Sequence, residues 1–448
     1  MVKSVQTSFQ HIFESVKVEQ IARKTGFLKR KSKLSPQAFI DLMFYAASGE
    51  NTSLLKISNE AKSEHDLVMS KQGLDNRFST SSVEFSKALL AEALSEKVEN
   101  PLSLCANSPI KRVLVKDSTR FIVDNSLKDK FPGYGGRSSE AGVSIQFEYD
   151  IVSGRITDTD LQSEVSRDSK DAAKKKESIQ SGDLIIRDLG YYSLDVCKTI
   201  SKNNAFFISR LFHTANVYES ADSRKEVDFN ELHRQMQSKQ LEYTEINVFI
   251  GKERFPMRLV VCLLPNDIYE SRVRNLNAKN IKRGYQTSDR YKARAHFNLF
   301  VCNLDVQFIS AEEICKLYRV RWQIELIFKT WKSFMKINRL HKMKYERLVT
   351  TIYMNLLWIV VYWRIILPFR NYQYEKELRL ISHLKCMNTL IQFSGYIRKM
   401  LRLTKIQIGI KLRKIFDILS IGHWLEKRKN KVSFEELLFV LFCISDIY

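Results

Sequence analysis

The spacing of hydrophobic residues changes twice along the chain and divides it into three regions. Up to about residue 105, and again beyond about residue 305, apolar residues recur every three to four positions, as on one face of a helix. Between these limits, short runs rich in Val, Ile and Phe are bounded by Gly, Ser and Asp, which is typical of strands. The pattern predicts an α/β protein whose central sheet region lies between helical N- and C-terminal regions.

The N-terminal region, residues 1–105, contains two helical segments with defined starts. Ser35-Pro36 is typical of an N-cap followed by a first-turn proline. A second helical unit is predicted over residues 70–98, with Lys71 and Arg77 facing outward. A helix, a turn and a basic second helix suit contacts with DNA, so Lys71 and Arg77 are candidate DNA-binding residues. Packing between helical regions explains the same pattern equally well.

The central region contains eight segments with strand character. They cover residues 111–117, 120–124, 142–158, 183–188, 205–212, 243–251, 255–264 and 296–303. The third segment holds Ser153-Gly154, a dipeptide typical of turns, and is predicted to form a hairpin. A helix capped by Ser193 is expected after the fourth segment, and the basic stretch of residues 272–294 is expected to be helical.

Residues 318–332, YRVRWQIELIFKTWK, carry the most informative helical pattern. On a helix with about 100° per residue, four polar side chains project into one arc roughly 60° wide: Tyr318, Arg321, Glu325 and Lys332. Ser310, with Glu313 three residues later, is typical of a capping box just upstream. One edge of this helix therefore carries a carboxylate flanked by two cations and a phenol. An ordinary solvent-exposed ion pair between Arg321 and Glu325 explains the same residues.

Two isolated aspartates, Asp117 and Asp188, each close an apolar strand in the predicted sheet. A carboxylate at a strand end can point out of the sheet towards a neighbouring helix, so we expect both to meet Glu325. Cleavage and transfer of phosphodiesters use two divalent ions about 3.5–4 Å apart. Hard ions such as Mg²⁺ or Mn²⁺ take carboxylate oxygens, which these three acids supply. Each aspartate taken alone is explained as a turn or cap residue, since Asp favours both places.

The cationic and phenolic side chains of the helix complete this hypothesis. Asp117 would bridge both ions, with Asp188 holding one ion and Glu325 the other. Arg321 and Lys332 would hold phosphates beside the reacting one, Arg321 by a bidentate fork. Tyr318 would donate a hydrogen bond to a phosphate or stack on a base.

Charge and composition indicate the kind of partner and the compartment. The chain of 448 residues has 72 Lys and Arg against 50 Asp and Glu, a net charge of +22, and most of the excess lies beyond residue 325. Such a field recruits polyanions, most commonly nucleic acid, with an anionic membrane surface as the competing explanation. The uncharged run of residues 348–363 is shorter than the ~20 residues of a membrane span, which favours a buried helix.

The seven cysteines are scattered without a CxxC pair, which favours buried thiols in a reducing cytoplasm rather than a disulfide framework or a zinc site. The N-terminal residues do not resemble a secretory signal. We therefore expect a cytoplasmic protein.

Several motifs resemble those of bacterial DDE transposases of the insertion-sequence-4 family. IRDLGYYS (186–193) resembles their Asp-x-Gly element, and Tyr318-x2-Arg321-x3-Glu325-x6-Lys332 matches their YREK signature. VKDSTRF (115–121) resembles their first-aspartate motif. FPGYGG (131–136), followed by SSEAGV, resembles the usual continuation, and residues 25–44 and 70–78 resemble the N-terminal region. The similarity extends from about residue 8 to beyond residue 360.

The resemblance implies a fold, an activity and roles for the residues. It implies an RNase H-like core, a mixed sheet flanked by helices and interrupted by a β-rich insertion. It also implies excision of an insertion sequence through a hairpin intermediate, then joining of the 3′-OH ends to target DNA, in a synapse of two transposase copies. Asp117, Asp188 and Glu325 become metal ligands, while Tyr318, Arg321 and Lys332 contact the terminal strands. Relatives that form a hairpin stack a tryptophan of the insertion on a flipped base. In this chain Phe297 is the candidate for that stacking role, and the alternative is that Phe297 belongs to the hydrophobic core.

The predicted domain organisation follows from these patterns. It comprises a helical N-terminal DNA-binding region (1–105), the first part of the catalytic core (106–203), the β-rich insertion (204–304), the second part of the core with the glutamate-bearing helix (305–345), and a basic helical C-terminal region (346–448). Two functions remain as alternatives to a transposase: a catalytically silent DNA-binding protein of transposase ancestry, and a free-standing RNase H-like nuclease.

Overall fold

A nine-stranded sheet forms the centre of the computed structural model, which describes residues 1–48, 53–95, 109–135, 139–377 and 379–426. The strands are β1 (Arg112–Ile122), β2 (Gly142–Asp150), β3 (Ile156–Ser163), β4 (Asp183–Arg187), β5 (Phe206–Arg210), β6 (Val217–Tyr218), β7 (Tyr243–Ile250), β8 (Phe255–Leu263) and β9 (Phe297–Cys302). The first two predicted segments, 111–117 and 120–124, are one continuous strand. The predicted hairpin is confirmed as β2 and β3, with Gly154 at φ +70° in the connecting turn.

The order of the strands is β3-β2-β1-β4-β5-β9-β8-β7-β6. In the first half, β1 is antiparallel to β2 and β2 to β3, whereas β1 is parallel to β4 and β4 to β5. This mixed order is that of an RNase H-like core, as the family resemblance implies. The remaining strands continue the same sheet in antiparallel fashion, beginning with β9 against β5. The sheet is therefore continuous across the boundary expected near residue 204.

Helices lie before, within and after the sheet region. The N-terminal helices are α1 (Val2–Phe13), α2 (Ser15–Lys24), α3 (Pro36–Ala47), α4 (Leu54–His65), α5 (Lys71–Asp75) and α6 (Thr80–Ser95). Those within the sheet region are α7 (Asp168–Lys174), α8 (Leu194–Lys202), α9 (Phe229–Ser238), α10 (Asn266–Ile281) and α11 (Asp289–Ala295). Those after it are α12 (Ala311–Leu317), α13 (Trp322–Ser333), α14 (Tyr345–Glu377), α15 (His383–Gln392), α16 (Ser394–Met400) and α17 (Lys405–Leu419).

Capping residues at helix N-termini predict the start of some helices well and of others only in part. Ser35 caps α3, because its hydroxyl accepts the N–H of Ala38 at 3.1 Å. The helical unit predicted over residues 70–98 consists of two helices, α5 and α6, and residues 96–98 lie outside the described chain. The chain turns between them, where the Ser82 hydroxyl accepts the N–H of Ser79 at 3.0 Å and starts the second helix anew. Ser193 precedes α8 as predicted, but its side chain makes no capping hydrogen bond.

The long helix α14 is a core element. All residues from 348 to 363 are buried, as the sequence predicts for this apolar run. α14 packs on α3 and α6, where Trp358 stacks on Phe44 and the Thr350 hydroxyl bonds that of Ser82 at 2.9 Å. Its 33 residues are long and apolar enough to cross a membrane, yet 94% of its most apolar window is buried inside the protein. Packing within the fold therefore accounts for this helix.

Aromatic side chains hold α13 against the sheet. Trp331 is completely buried, with ring centroids 4.8 Å from Phe147 of β2 and 5.4 Å from Phe328. We expect Trp331→Ala to lower the free energy of unfolding by about 3–5 kcal/mol, because it leaves a large cavity between helix and sheet. Urea unfolding followed by circular dichroism measures this loss. Trp322 on the same helix is 58% exposed, and Trp322→Ala should change stability by less than about 0.5 kcal/mol.

Candidate active site

The helical segment after residue 310 begins as predicted but is not one continuous α-helix. Ser310 and Glu313 form the capping box, with the Ser310 N–H donating to the Glu313 carboxylate at 2.8 Å. The residues Tyr318–Arg321 then form one turn of 3₁₀ helix between α12 and α13. Such a tightened turn within a helix is frequent at functional positions, and here it contains two of the predicted site residues.

Asp117 lies in the middle of β1 rather than at its end, which corrects the prediction. The strand continues to Ile122 because Asp117 pairs with Phe147 of β2 in regular antiparallel register. Its side chain points to α13, whereas those of its neighbours alternate to the other face. Asp188 directly follows β4, as predicted. Because β1 and β4 are parallel with Lys116 opposite Arg187, the two aspartates are at the same level on adjacent strands.

Arg321 connects two of the three predicted acids. Its Nη1 donates to Asp117 Oδ2 at 3.0 Å and its Nη2 to Glu325 Oε1 at 2.6 Å. The expected i, i+4 ion pair between Arg321 and Glu325 is therefore present. Arg321 also pairs with Asp117, a carboxylate from the sheet. The third acid is reached by Tyr318, whose hydroxyl lies 3.5 Å from Asp188 Oδ1, at the long limit of a hydrogen bond. The acids from β1, β4 and α13 thus meet around one guanidinium and one phenol.

Lys332 contacts the same strand as Asp117. Its Nζ donates to the backbone carbonyl of Arg120 at 3.0 Å, three residues further along β1. The four residues of the expected YREK signature therefore all face β1 and the end of β4.

A family model described as a transposase DDE domain matches residues 108–361, which is more than half of the chain and includes all three acids. The chain belongs to the DDE transposase family. Among its relatives, it is 28% identical to the transposase for insertion sequence element IS231B of Bacillus thuringiensis subsp. berliner, over 90% of this chain and 88% of that one. It is 26% identical to the transposase for IS1151 of Clostridium perfringens, over 88% and 86%.

The match extends over most of the chain and identifies an insertion-sequence transposase of the insertion-sequence-4 type, a DNA-binding enzyme that cuts and transfers DNA. A solved structure titled as a piggyBac transposase synaptic complex with hairpin DNA aligns with a TM-score of 0.45 and 11% identity, over 96% of this chain and 87% of that one. A likeness of that size carries no argument about this transposase.

Burial raises the pKa values of two side chains in the candidate site of this transposase. It raises the pKa of Asp117 to about 6, and the nearby Asp188 and Glu325 carboxylates act in the same direction. The Ser118 N–H, which donates to Asp117 at 2.8 Å, and the Arg321 guanidinium oppose this rise. Burial likewise raises the pKa of Tyr318 to about 12, so its hydroxyl stays protonated as a donor.

The raised pKa of Asp117 predicts a pH-dependent effect on stability. The folded chain binds this proton more tightly than the unfolded chain, so the folded state is penalised as the pH rises from about 4 through about 6. We expect Asp117→Asn to raise the free energy of unfolding by about 1–3 kcal/mol at pH 7.5 without added metal, and to have little effect at pH 4. Urea unfolding at both pH values measures the difference. An equal effect at both would contradict this explanation.

The donor atoms of the site suit a divalent cation. Asp117, Asp188 and Glu325 offer only carboxylate oxygens, which hard ions prefer, and members of this family generally use divalent metal ions. Within the described parts of the chain, no three His, Cys, Asp or Glu side chains are close enough to hold a metal ion as they are arranged. The Arg321 guanidinium between Asp117 and Glu325 shows that these carboxylates accommodate positive charge. Releasing either carboxylate from Arg321 frees its oxygens for an ion.

The other three candidate DNA-binding residues lie elsewhere. Lys71 is exposed at the start of α5. Arg77 is half-buried and donates to the Ser32 hydroxyl at 2.8 Å. Phe297 is buried in β9 beside Phe229, so its ring is not offered to a flipped base in this structure.

Sequence reasoning missed the residues behind the site. Gln146, Asp168 and Tyr191 form side-chain hydrogen bonds on the face of the sheet opposite Asp117. The alternation of side chains along β1 and β2 is the signal that points to this face. No local pattern identifies which residues meet there, because the partners come from β2, α7 and the turn after Asp188.

Proposed function

We propose that this transposase cuts DNA at the ends of its insertion sequence and joins the 3′-OH ends to target DNA, with Asp117, Asp188 and Glu325 as ligands of two Mg²⁺ or Mn²⁺ ions. The observation that carries the proposal is the convergence of the three acids on Arg321 and Tyr318. Residues so far apart in the chain have no structural need to gather several carboxylates at one partly buried place. The Asp188 and Glu325 carboxylates contribute to the raised pKa of Asp117, and this electrostatic cost is one that bound cations remove.

Each side chain has a separate task in this proposal. When bound, the divalent ions activate the attacking oxygen and stabilise the leaving oxygen of the phosphodiester. Asp117 would help to hold both ions, because its strand β1 lies beside β4 and its carboxylate contacts Arg321 just before α13. Arg321 exchanges its carboxylate partners for phosphate oxygens, which its planar fork binds bidentately. Lys332 neutralises a neighbouring phosphate, and Tyr318 donates its hydroxyl to the DNA backbone.

The processing route, the assembly and the organisation of the chain extend this proposal. Excision through a hairpin and catalysis by a homodimer holding two element ends follow from the family resemblance. The buried position of Phe297 does not favour it as the stacking residue, so a hairpin would depend on another aromatic side chain. We keep the five-part division of the chain, the N-terminal DNA contacts through Lys71 and Arg77, and action at the bacterial nucleoid as parts of the same proposal.

A supercoiled plasmid carrying both element ends, identified from the DNA flanking the gene, tests the proposal in Mg²⁺ and in Mn²⁺. A matched plasmid without the ends is the control. We expect excised element and joined products only from the first plasmid, with hairpin ends resolved on a denaturing gel. Binding without cleavage in either metal would favour a catalytically silent DNA-binding protein. Cleavage of both plasmids without joined product would favour a free-standing nuclease.

A further inference from the structure

The face of the sheet opposite Asp117 buries a polar layer where an apolar core would be expected. Several side chains of this layer are almost completely inaccessible to solvent, and they come from adjacent strands and from α7: Lys116, Ser144, Gln146, Glu148, Asp171 and Arg187. Lys116, for instance, pairs with Asp158 at 2.8 Å and with Asp171. An unpaired polar group in such a place is expensive. Five of these six side chains have a polar side-chain partner, whereas Ser144 Oγ has no hydrogen-bond partner.

Within this layer, one chain of hydrogen bonds starts at the turn that follows Asp188. The Tyr191 N–H donates to the Asp188 carbonyl at 3.0 Å, and the Tyr191 hydroxyl donates to Gln146 Oε1. Gln146 Nε2 donates to Asp168 Oδ1 at 2.9 Å. The other oxygen of Asp168 accepts from Arg120 Nη2 at 2.7 Å. The chain thus connects the backbone of Asp188 to the strand that carries Asp117.

The same chain ends at the third element of the site. The carbonyl of Arg120 accepts a hydrogen bond from the ammonium group of Lys332 on α13 at 3.0 Å. Asp168 also lies against the turn after Asp188, since a Cβ added at Gly190 would lie 3.2 Å from its Oδ2. A larger residue at Gly190 would therefore displace Asp168 or the turn. One set of hydrogen bonds accordingly fixes β1, the end of β4 and the Lys332 ammonium relative to one another.

The Tyr191 hydroxyl serves as a hydrogen-bond donor within this layer. Tyr191 is 2% exposed, and burial together with the Asp168 and Asp117 carboxylates raises the pKa of its hydroxyl far above physiological pH. Gln146 is completely buried, so removal of the hydroxyl leaves its Oε1 without this donor. The turn at Asp188 would then lose its side-chain connection to the sheet while its backbone hydrogen bond remained.

We propose that Tyr191, Gln146 and Asp168 are positioning residues, which hold the Asp188 carboxylate at the distance from Asp117 that cation binding requires. They touch neither the DNA nor the ions. The proposal rests on the proposed function, because it needs Asp188 to be a metal ligand. Residues that orient metal ligands through hydrogen bonds commonly change metal affinity by about 10–100-fold when they are replaced.

Mn²⁺ binding to the purified full-length chain without DNA, followed by the electron paramagnetic resonance of free Mn²⁺, tests this role. We expect Tyr191→Phe to raise the Mn²⁺ dissociation constant by about tenfold. Tyr192→Phe is the matched control, because that neighbouring hydroxyl lies 4.0 Å from the Met257 sulfur and takes no part in the hydrogen bonds to Gln146 and Asp168, so it should leave the constant unchanged. Asp168→Asn, which keeps the shape of the side chain, should weaken binding in the same direction.

Two further variants separate positioning from general destabilisation and from failure of the proposed function. Ser82→Ala removes a buried hydrogen bond between α6 and α14, so it should lower the unfolding temperature without changing Mn²⁺ affinity. Equal weakening by Ser82→Ala and Tyr191→Phe would overturn the positioning role. Asp188→Asn should weaken binding more than Tyr191→Phe. If Asp188→Asn weakens binding and Tyr191→Phe does not, only the positioning role is wrong; if Asp188→Asn has no effect, the ligand role and the positioning role both fall.

The activity of the same variants supplies a second readout. A positioning defect should raise the Mg²⁺ concentration for half-maximal cleavage by about the same factor as the Mn²⁺ dissociation constant, with near-normal cleavage at saturating Mg²⁺. A lower maximal rate with an unchanged Mg²⁺ requirement would contradict the proposal.

Discussion

Replacing Asp117 or Asp188 by Asn, or Glu325 by Gln, is expected to lower both cleavage at the element ends and joining to target DNA by about 10³-fold or more. Each amide keeps the size of the side chain but removes the negative charge that holds a divalent cation. Binding of the element ends should persist, because the net charge of +22 that attracts DNA increases slightly. Plasmid cleavage and gel-shift assays on the same preparations measure the two properties.

Glu312→Gln is the matched control for Glu325→Gln. Both glutamates form i, i+4 ion pairs in the same helical segment, Glu312 with Lys316 at 2.6 Å and Glu325 with Arg321 at 2.6 Å. The Glu312 pair lies outside the site, so its loss should leave cleavage close to wild type. Equal losses from both variants would mean that helix stability, rather than cation binding, accounts for the effect. Near-normal cleavage by Asp117→Asn would refute the catalytic assignment.

Arg321→Ala is expected to have two opposite effects. Without the guanidinium, Asp117 and Glu325 are no longer neutralised by a fixed cation, so Mn²⁺ should bind the DNA-free chain more tightly. Cleavage and joining should nevertheless fall by about 10²–10³-fold, because the phosphates lose their bidentate donor. Calorimetric titration with Mn²⁺ and plasmid assays at saturating Mn²⁺ measure the two effects separately.

Two variants make this prediction specific. Arg319 is exposed on the same 3₁₀ turn, and Arg319→Ala should change neither Mn²⁺ affinity nor cleavage strongly. Arg321→Lys keeps the charge but loses the planar fork, so it should restore the weaker Mn²⁺ affinity without restoring full joining. If Arg321→Ala weakened Mn²⁺ binding instead, the main role of Arg321 would be to hold the two carboxylates in position rather than to compete with the cation for them.

Features that depend on neighbouring residues were predictable from the sequence. The capping box at Ser310, the N-cap at Ser35 and the turn at Gly154 all occur as expected, because each depends on contacts within three or four residues. The burial of residues 348–363 followed from their composition. Where the prediction failed at Asp117, a longer-range partner decided: this residue is in mid-strand because β2 pairs with β1 across it.

The sequence by itself determined the helical and strand regions, the positive charge and the three acids that we propose as metal ligands, since side-chain type and short spacing suffice for these. Only the tertiary structure decided that Arg321 is shared by Asp117 and Glu325, and that a buried polar chain connects Asp188 to Arg120 and Lys332. The physical reason is distance along the chain: Arg321 and Asp117 are 204 residues apart. Contacts of that kind depend on strand order and register, which no local pattern encodes.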